Sequence, residues 1–222
     1  MQAFPTKPDE RKNIMKKLLA TLLALSAAVS LLVVPVGAGT DQPDHFLPGR
    51  AYYKTDQHLN QERRYIIDED SIIRIEEGAT MYVSGEFDIN GKLKNYGTLV
   101  IRDVTPSGGK QEAKFLDNYG NVHVNGTLEN YGKIVVESAS LTCNFTGKII
   151  NDGTIELNNS SNDNLTLMRI TSYRNSAGGV RRGELYNNKK GVININNTVG
   201  KGLVIYKDAK FENKGALNKA DK

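Results

Sequence analysis

Few residues in this chain have the type and spacing to do chemistry. Asp68-Glu69-Asp70 and Glu76-Glu77 are the densest acids. Calcium takes six to eight oxygens from carboxylates and carbonyls, and it is the ion such a cluster would hold. Neither an Asp-x-Asp-x-Asp-Gly pattern nor a Gly-Gly-x-Gly-x-Asp repeat supports it, so the acids read as a solvated edge with calcium as the alternative. The histidines are His45, His58 and His123. A metal site would need two of them beside a carboxylate. His123 falls out of phase between Val122 and Val124, so all three read as outward and solvated. The single cysteine, Cys143, is in phase with Leu141 and Phe145 and reads as a small core residue. No nucleophile elbow, Cys–His pair, His-Glu-x-x-His helix or phosphate loop is present, and no catalytic or metal-ligating residue is assigned.

The remaining candidates are aromatic. Tyr96, Tyr119 and Tyr131 each occupy the middle of an Asn-x-Gly triplet. The later triplets hold Asp152, Lys189–Lys190 and Lys214 at that place. If the triplets stack, an aromatic stripe gives way to a charged one. Exposed aromatics anchor sugar rings and protein partners, so the three tyrosines are the candidate binding residues. The alternative is an aromatic cover over a corner. Glycine steps of 23 and 12 separate the three triplets, and such unequal steps would put the tyrosines on different corners.

What positions these residues is a repeat. The phrase small–x–apolar–x–Asn–x–Gly–x–apolar–x–apolar runs through Asn95 and Gly97, Asn130 and Gly132, and Asn151 and Gly153. A truncated copy holds Asn213 and Gly215, and looser copies hold Asn118 with Gly120, and Leu185 through Ile195. Within each copy the apolar period is two: Leu93, Leu99 and Ile101 share parity, as do Leu128, Ile134 and Val136. Alternation at 180° per residue means strands. Runs this short cannot build a flat sheet core, but stacked coils can cover one another's apolar rows. The expected fold is therefore all-β, a parallel β-helix of roughly seven coils. Glycine at the corner is expected for its access to positive φ. The asparagines share the core parity, so they are expected to point inward and bond along the stack as amide ladders do. Asn-Gly at 90–91 and 125–126 is a hairpin signal, and an antiparallel sandwich is the competing reading.

An opening of the form Ile73-x-Ile75-x-x-Gly78-Ala79-x-Met81-x-Val83, followed by the Asn-x-Gly units, resembles secreted bacterial right-handed parallel β-helices, the pectin-lyase-like and adhesin-like solenoids. The resemblance covers about residues 65–217. It implies a right-handed solenoid and an exported location, and it leaves the substrate open because many functions share the motif. Pectin-lyase-like enzymes gather carboxylates, often with calcium, and a basic group on one outer face. Arg102, Asp103, Asp152, Arg181 and Arg182 are the scattered candidates for such a face here.

Length and charge bound the rest. The 222 residues carry 29 Lys/Arg and 25 Asp/Glu, a formal net charge of +4. Met15-Lys16-Lys17, an apolar run from Leu18 to Val36 and a Val36-Gly37-Ala38 exit have the form of a secretory signal peptide over 1–38, with Met15 as an alternative start. That segment holds five of the basic and two of the acidic residues. Removing it leaves 24 basic (29 less five) against 23 acidic (25 less two), which gives no reason to expect a nucleic-acid partner. A membrane partner is expected only if the apolar run is kept as an anchor. Residues 39–64 read as a polar preamble or cap, and 65–222 as the repeat domain. Thr105–Gln111, Asn158–Asn164 and Tyr173–Gly183 read as loops. The oligomeric state is left open. The functional expectation is a secreted or cell-surface, non-catalytic solenoid that presents a surface to a glycan or a protein, without a cofactor. The alternative is a polysaccharide lyase or hydrolase.

Overall fold

A computed structural model describes residues 44–47, 49–60, 63–102, 120–159, 164–197 and 199–220. The expected leader, Asn118, Tyr119 and the 105–111 loop lie outside the described residues.

The described chain winds as a right-handed parallel β-helix of seven rungs, each with three strands. The first face stacks His45–Leu47, Arg64–Ile67, Glu86–Ile89, Asn121–Val124, Ser140–Cys143, Thr166–Ile170 and Lys201–Ile205. The second stacks Arg50–Tyr53, Ile72–Ile75, Lys92–Asn95, Thr127–Asn130, Lys148–Asn151, Glu184–Asn187 and Lys210–Asn213. The third stacks Gln57–Leu59, Thr80–Val83, Thr98–Arg102, Lys133–Glu137, Thr154–Asn158, Val192–Ile195 and Ala216–Lys219. Every pairing within these faces is parallel, which settles the choice against the antiparallel sandwich. Asn90-Gly91 and Asn125-Gly126 turn the chain from the first face to the second rather than closing hairpins. Residues 45–59, within the segment read as a preamble, form the first rung.

The core follows from the period-two pattern. Leu93, Leu128 and Ile149 are in register on the second face, and Leu99, Ile134 and Ile155 on the third. All six are fully buried, as are Ile101 and Val136. Each short strand contributes one or two such side chains, and the rung above and below covers them. That is why runs too short for an ordinary sheet suffice here.

The corner glycines act differently from expectation. Those of the Asn-x-Gly triplets do not have positive φ; among the described glycines only Gly49, Gly78, Gly178 and Gly200 do. What excludes a side chain is close stacking. A Cβ on Gly132 would lie 2.1 Å from the Gly97 carbonyl oxygen, and one on Gly153 would lie 2.1 Å from that of Gly132. Gly120 belongs to a different column. Its carbonyl accepts from Ser140 N–H at the turn from the third face to the first, so Gly120 is not equivalent to Gly97, Gly132, Gly153 and Gly215.

One insertion is itself folded. Ser172–Arg174 and Val180–Arg182 pair antiparallel and leave the helix between the first and second faces of the sixth rung. Gly178 at φ +83° closes its tip, and Arg174 pairs with Asp208 at 3.1 Å.

Candidate functional site

The turn from the second face to the third, here called the inner corner, carries the triplets. Asn95, Asn130, Asn151 and Asn187 point inward and are fully buried. Each donates from Nδ2 to Oδ1 of the asparagine one rung on, at 2.7–2.8 Å, the last acceptor being Asn213. The second Nδ2 hydrogen goes to the carbonyl that opens the next third-face strand: Lys133, Thr154, Val192 or Ala216. The ladder starts at Asn95 because its neighbour in the preceding rung is Ile75. Asn95 Oδ1 is accordingly buried without a partner.

This buried ladder fixes what stands outside it. Backbone bonds place Glu76, Tyr96, Tyr131, Asp152, Asn188 and Lys214 in one outer column, one residue per rung, about 4.8 Å apart. Glu76 pairs with Arg74 at 2.9 Å. The Arg74 guanidinium lies 4.1 Å from the centre of the Tyr96 ring. Tyr96 in turn stacks on Tyr131, with centroids 4.8 Å apart and planes 15° apart. Tyr131 is 43% exposed, and its hydroxyl donates to Glu129 at 3.2 Å. Partial burial, followed by the Glu129 charge, pushes the Tyr131 phenol up. Glu129 also binds Lys92 and Lys94, at 3.1 and 3.3 Å. Burial alone would raise its carboxyl, but the two lysines outweigh burial and hold it below its ordinary value.

The aromatic part of the column stops at Tyr131. The next two places hold Asp152 and Asn188, joined by a 2.8 Å bond from Asn188 Nδ2 to Asp152 Oδ2. These side chains are too small to continue the stack. An open cleft of about 590 Å³ results, lined by Tyr131, Asp152, Asn188, Lys189, Lys190 and Lys214. Of the three tyrosines singled out by sequence, Tyr96 and Tyr131 are thus brought together. Tyr119 lies outside the described residues, and its neighbour Gly120 stands at another corner.

A second cluster was not legible in the sequence. On the outer side of the first face, Glu86, Asp88 and His123 place ligand atoms within 4.8 Å of one another. Parity accounts for it: His123 pairs with Asp88, and Asn121 with Glu86. Arg64 binds Asp88 through both Nε, at 2.7 Å, and a guanidinium Nη. This hydrogen bond is the main reason the Arg64 guanidinium is held above its usual range. Asp88 is 3% exposed. Asp88 and His123 hold matching positions of successive rungs, with Glu86 on the same strand as Asp88, and only knowledge of the register reveals the cluster. Arg102, one of the scattered candidates for an outer face, instead lies over the Tyr82 ring at 4.8 Å, and His58 stacks on the same ring at 4.7 Å.

Cys143 is fully buried, and burial pushes its thiol up to about 12, so it is inert at neutral pH. His45 is exposed and packs edge-on to Tyr65. Asp68, Glu69 and Asp70 are exposed.

Comparison of the chain with protein-family models, with curated proteins and with solved structures finds no match.

Proposed function

We propose that this chain is a secreted or cell-surface, non-catalytic solenoid of the adhesin-like kind, exported by its leader, which binds a glycan or a surface protein along the inner corner. One observation carries the reading: the Glu76–Arg74–Tyr96–Tyr131 stack ends at an open cleft. A ring held from one side by stacking, and from its hydroxyl by Glu129, is a preorganised platform. Little side-chain freedom is left to lose when a ligand settles on it. Among the described residues the cleft is open and its one acid, Asp152, is bonded by Asn188, an arrangement that supports binding. No cofactor is required for it. Screening the exported protein on a glycan array and on host or bacterial surface proteins identifies the ligand. The Tyr96→Ser/Tyr131→Ser variant should keep the far-ultraviolet circular dichroism spectrum and lose retention. Retention unchanged in the folded variant would overturn the reading.

The Arg64–Glu86–Asp88–His123 cluster favours a second reading, a pectin-lyase-like polysaccharide lyase or hydrolase. It puts carboxylates and a basic group on one outer face. It ranks second because Asp88 is buried and bonded by Arg64, which also reaches Glu86 at 3.7 Å, so both carboxylates are already engaged by the same cation. Release of unsaturated or reducing sugar ends from polysaccharides, abolished by Glu86→Gln, would establish it.

A further inference from the structure

Resting on the binding-module reading, we propose that the cleft beyond Tyr131 takes an anionic glycan chain, with the Tyr131 ring under a sugar face and Lys189, Lys190 and Lys214 on its sulfate or carboxylate groups.

The inner corner has the same length in four of the five rungs that its ladder joins. Two residues separate the asparagine from the third-face strand at Tyr96-Gly97, Tyr131-Gly132, Asp152-Gly153 and Lys214-Gly215. The sixth rung alone among the five asparagine-bearing rungs breaks this. It spans Asn188 to Gly191, and the two additional residues are Lys189 and Lys190. Gly191 N–H closes them into a tight turn on the Asn188 carbonyl at 2.9 Å. Gly191 still packs against Asn151 and carries the Gly215 column, so the helix is undisturbed and the addition projects outward.

Neither lysine answers a need of the fold. Both are exposed, and among the described residues neither has an ion-pair partner. Other lysines on the neighbouring outer face are engaged: Lys92 and Lys94 on Glu129, Lys133 on Glu156 at 2.9 Å, Lys210 on the Tyr186 hydroxyl at 2.9 Å. Lys214 bonds Glu212 at 2.7 Å but also borders the cleft. The single acid in the cleft, Asp152, is already bonded by Asn188. The lining therefore has three cations against one carboxylate, beside an exposed ring.

The cations are all lysines. Arginine's fork pairs with carboxylate and phosphate oxygens, whereas the lysine ammonium is a point charge indifferent to the geometry of the anion. A lysine-only lining therefore takes sulfate esters and carboxylates alike. The ring supplies the apolar surface that a free anion would not need, which points to a sugar carrying the charge.

The test uses the whole exported chain with dextran sulfate, unsubstituted dextran and polygalacturonate as probes. Binding to dextran sulfate or polygalacturonate, and not to unsubstituted dextran, is expected, and the tighter of the two anionic probes names the group held. The affinity should fall about tenfold or more between 50 and 300 mM salt, as expected when about three cations displace counterions. Lys189→Ala/Lys190→Ala should weaken binding by about tenfold with the melting temperature unchanged, because these side chains hold nothing in the fold. A second variant, Lys201→Ala/Lys219→Ala, removes the same charge from strands outside the cleft and should bind as the parent does. Equal losses in both variants would mean diffuse attraction and overturn the proposal. Equal binding of unsubstituted dextran would overturn the assignment to an anionic chain. If no charged probe binds but a neutral glycan is held in a Tyr131-dependent way, the anionic-glycan inference fails and the binding-module reading survives. If no probe binds and no array ligand depends on Tyr131, both fail.

Discussion

Two corners of the helix carry asparagine ladders that join three or more rungs, and the two do not behave alike. At the inner corner four buried amides, capped by Asn213, hold every rung from the third to the seventh. At the entry corner, between the first face and the second, Asn90, Asn125 and Asn144 form a shorter ladder, with bonds of 2.8 and 2.7 Å. Those amides are half-buried and face out. The next place in that column is Thr171, whose hydroxyl donates to the Cys143 carbonyl at 3.1 Å, and the hairpin departs immediately after it. A buried ladder holds the asparagine at its corner, because a lost partner strands an amide away from water. A half-wet ladder does not, because water takes the vacant place.

The widest separation should come from placing the same residue at two core positions. Ile101→Asn puts an amide among apolar side chains with no ladder to join, and it should cost about 4 kcal/mol in lost burial and an unpaired amide. Ile75→Asn sits in register with Asn95 and can donate to its vacant Oδ1. It should cost less by about 2 kcal/mol, a difference that urea denaturation resolves. Equal costs would break the argument that the ladder begins only because a donor is lacking.

Next in size, Asn151→Ala removes a middle member of the buried ladder and strands Asn130 Nδ2 and Asn187 Oδ1. A loss of about 3 kcal/mol is expected from the urea midpoint. The matching change at the entry corner, Asn125→Ala, should cost about 1 kcal/mol, since water can replace it. A loss as large as that of Asn151→Ala would show that exposure does not distinguish the corners.

The smallest effect belongs to the outer surface. The Glu129 carboxyl is held low in the folded state, so its contribution to stability is present above the ordinary carboxylate range and disappears as the pH falls through the depressed value. Thermal melts between pH 7 and pH 3 should show an acid loss that is reduced in Glu129→Gln. Identical profiles would mean that the lysine pair does not stabilise the fold.

The strands, their period and the inward asparagines were legible because each is a local pattern repeated. Leu128 and Ile134 announce their burial by parity alone. The glycines were legible as corners but for the wrong reason, since backbone contact between rungs leaves no trace in one copy of the phrase. The Arg64–Glu86–Asp88–His123 cluster was hidden because its members are 59 residues apart at the extremes, and the segment 103–119 intervenes before His123. The shift of Gly120 to another corner was hidden for the same reason: the phrase fixes a turn, not which of three turns it is.

The buried ladder also has a direction. Both hydrogens of each amide point toward the C-terminal rungs, and the second one can only be used that way, because the carbonyl it meets opens the next third-face strand. Turning one amide over would set nitrogen against nitrogen on one side and oxygen against oxygen on the other. The members therefore keep a common sense, like aligned spins in a one-dimensional magnet, and a reversed stretch would need two domain walls, each costing about one ladder hydrogen bond. The entry ladder is aligned the opposite way, each later asparagine donating to the earlier one. The two polar columns thus run antiparallel, and their fields partly cancel along the axis of the helix. An engineered extra rung inherits a rule from this: inserted on the far side of Asn213 it must offer an acceptor to the inner column, and inserted ahead of Asn95 it must offer a donor.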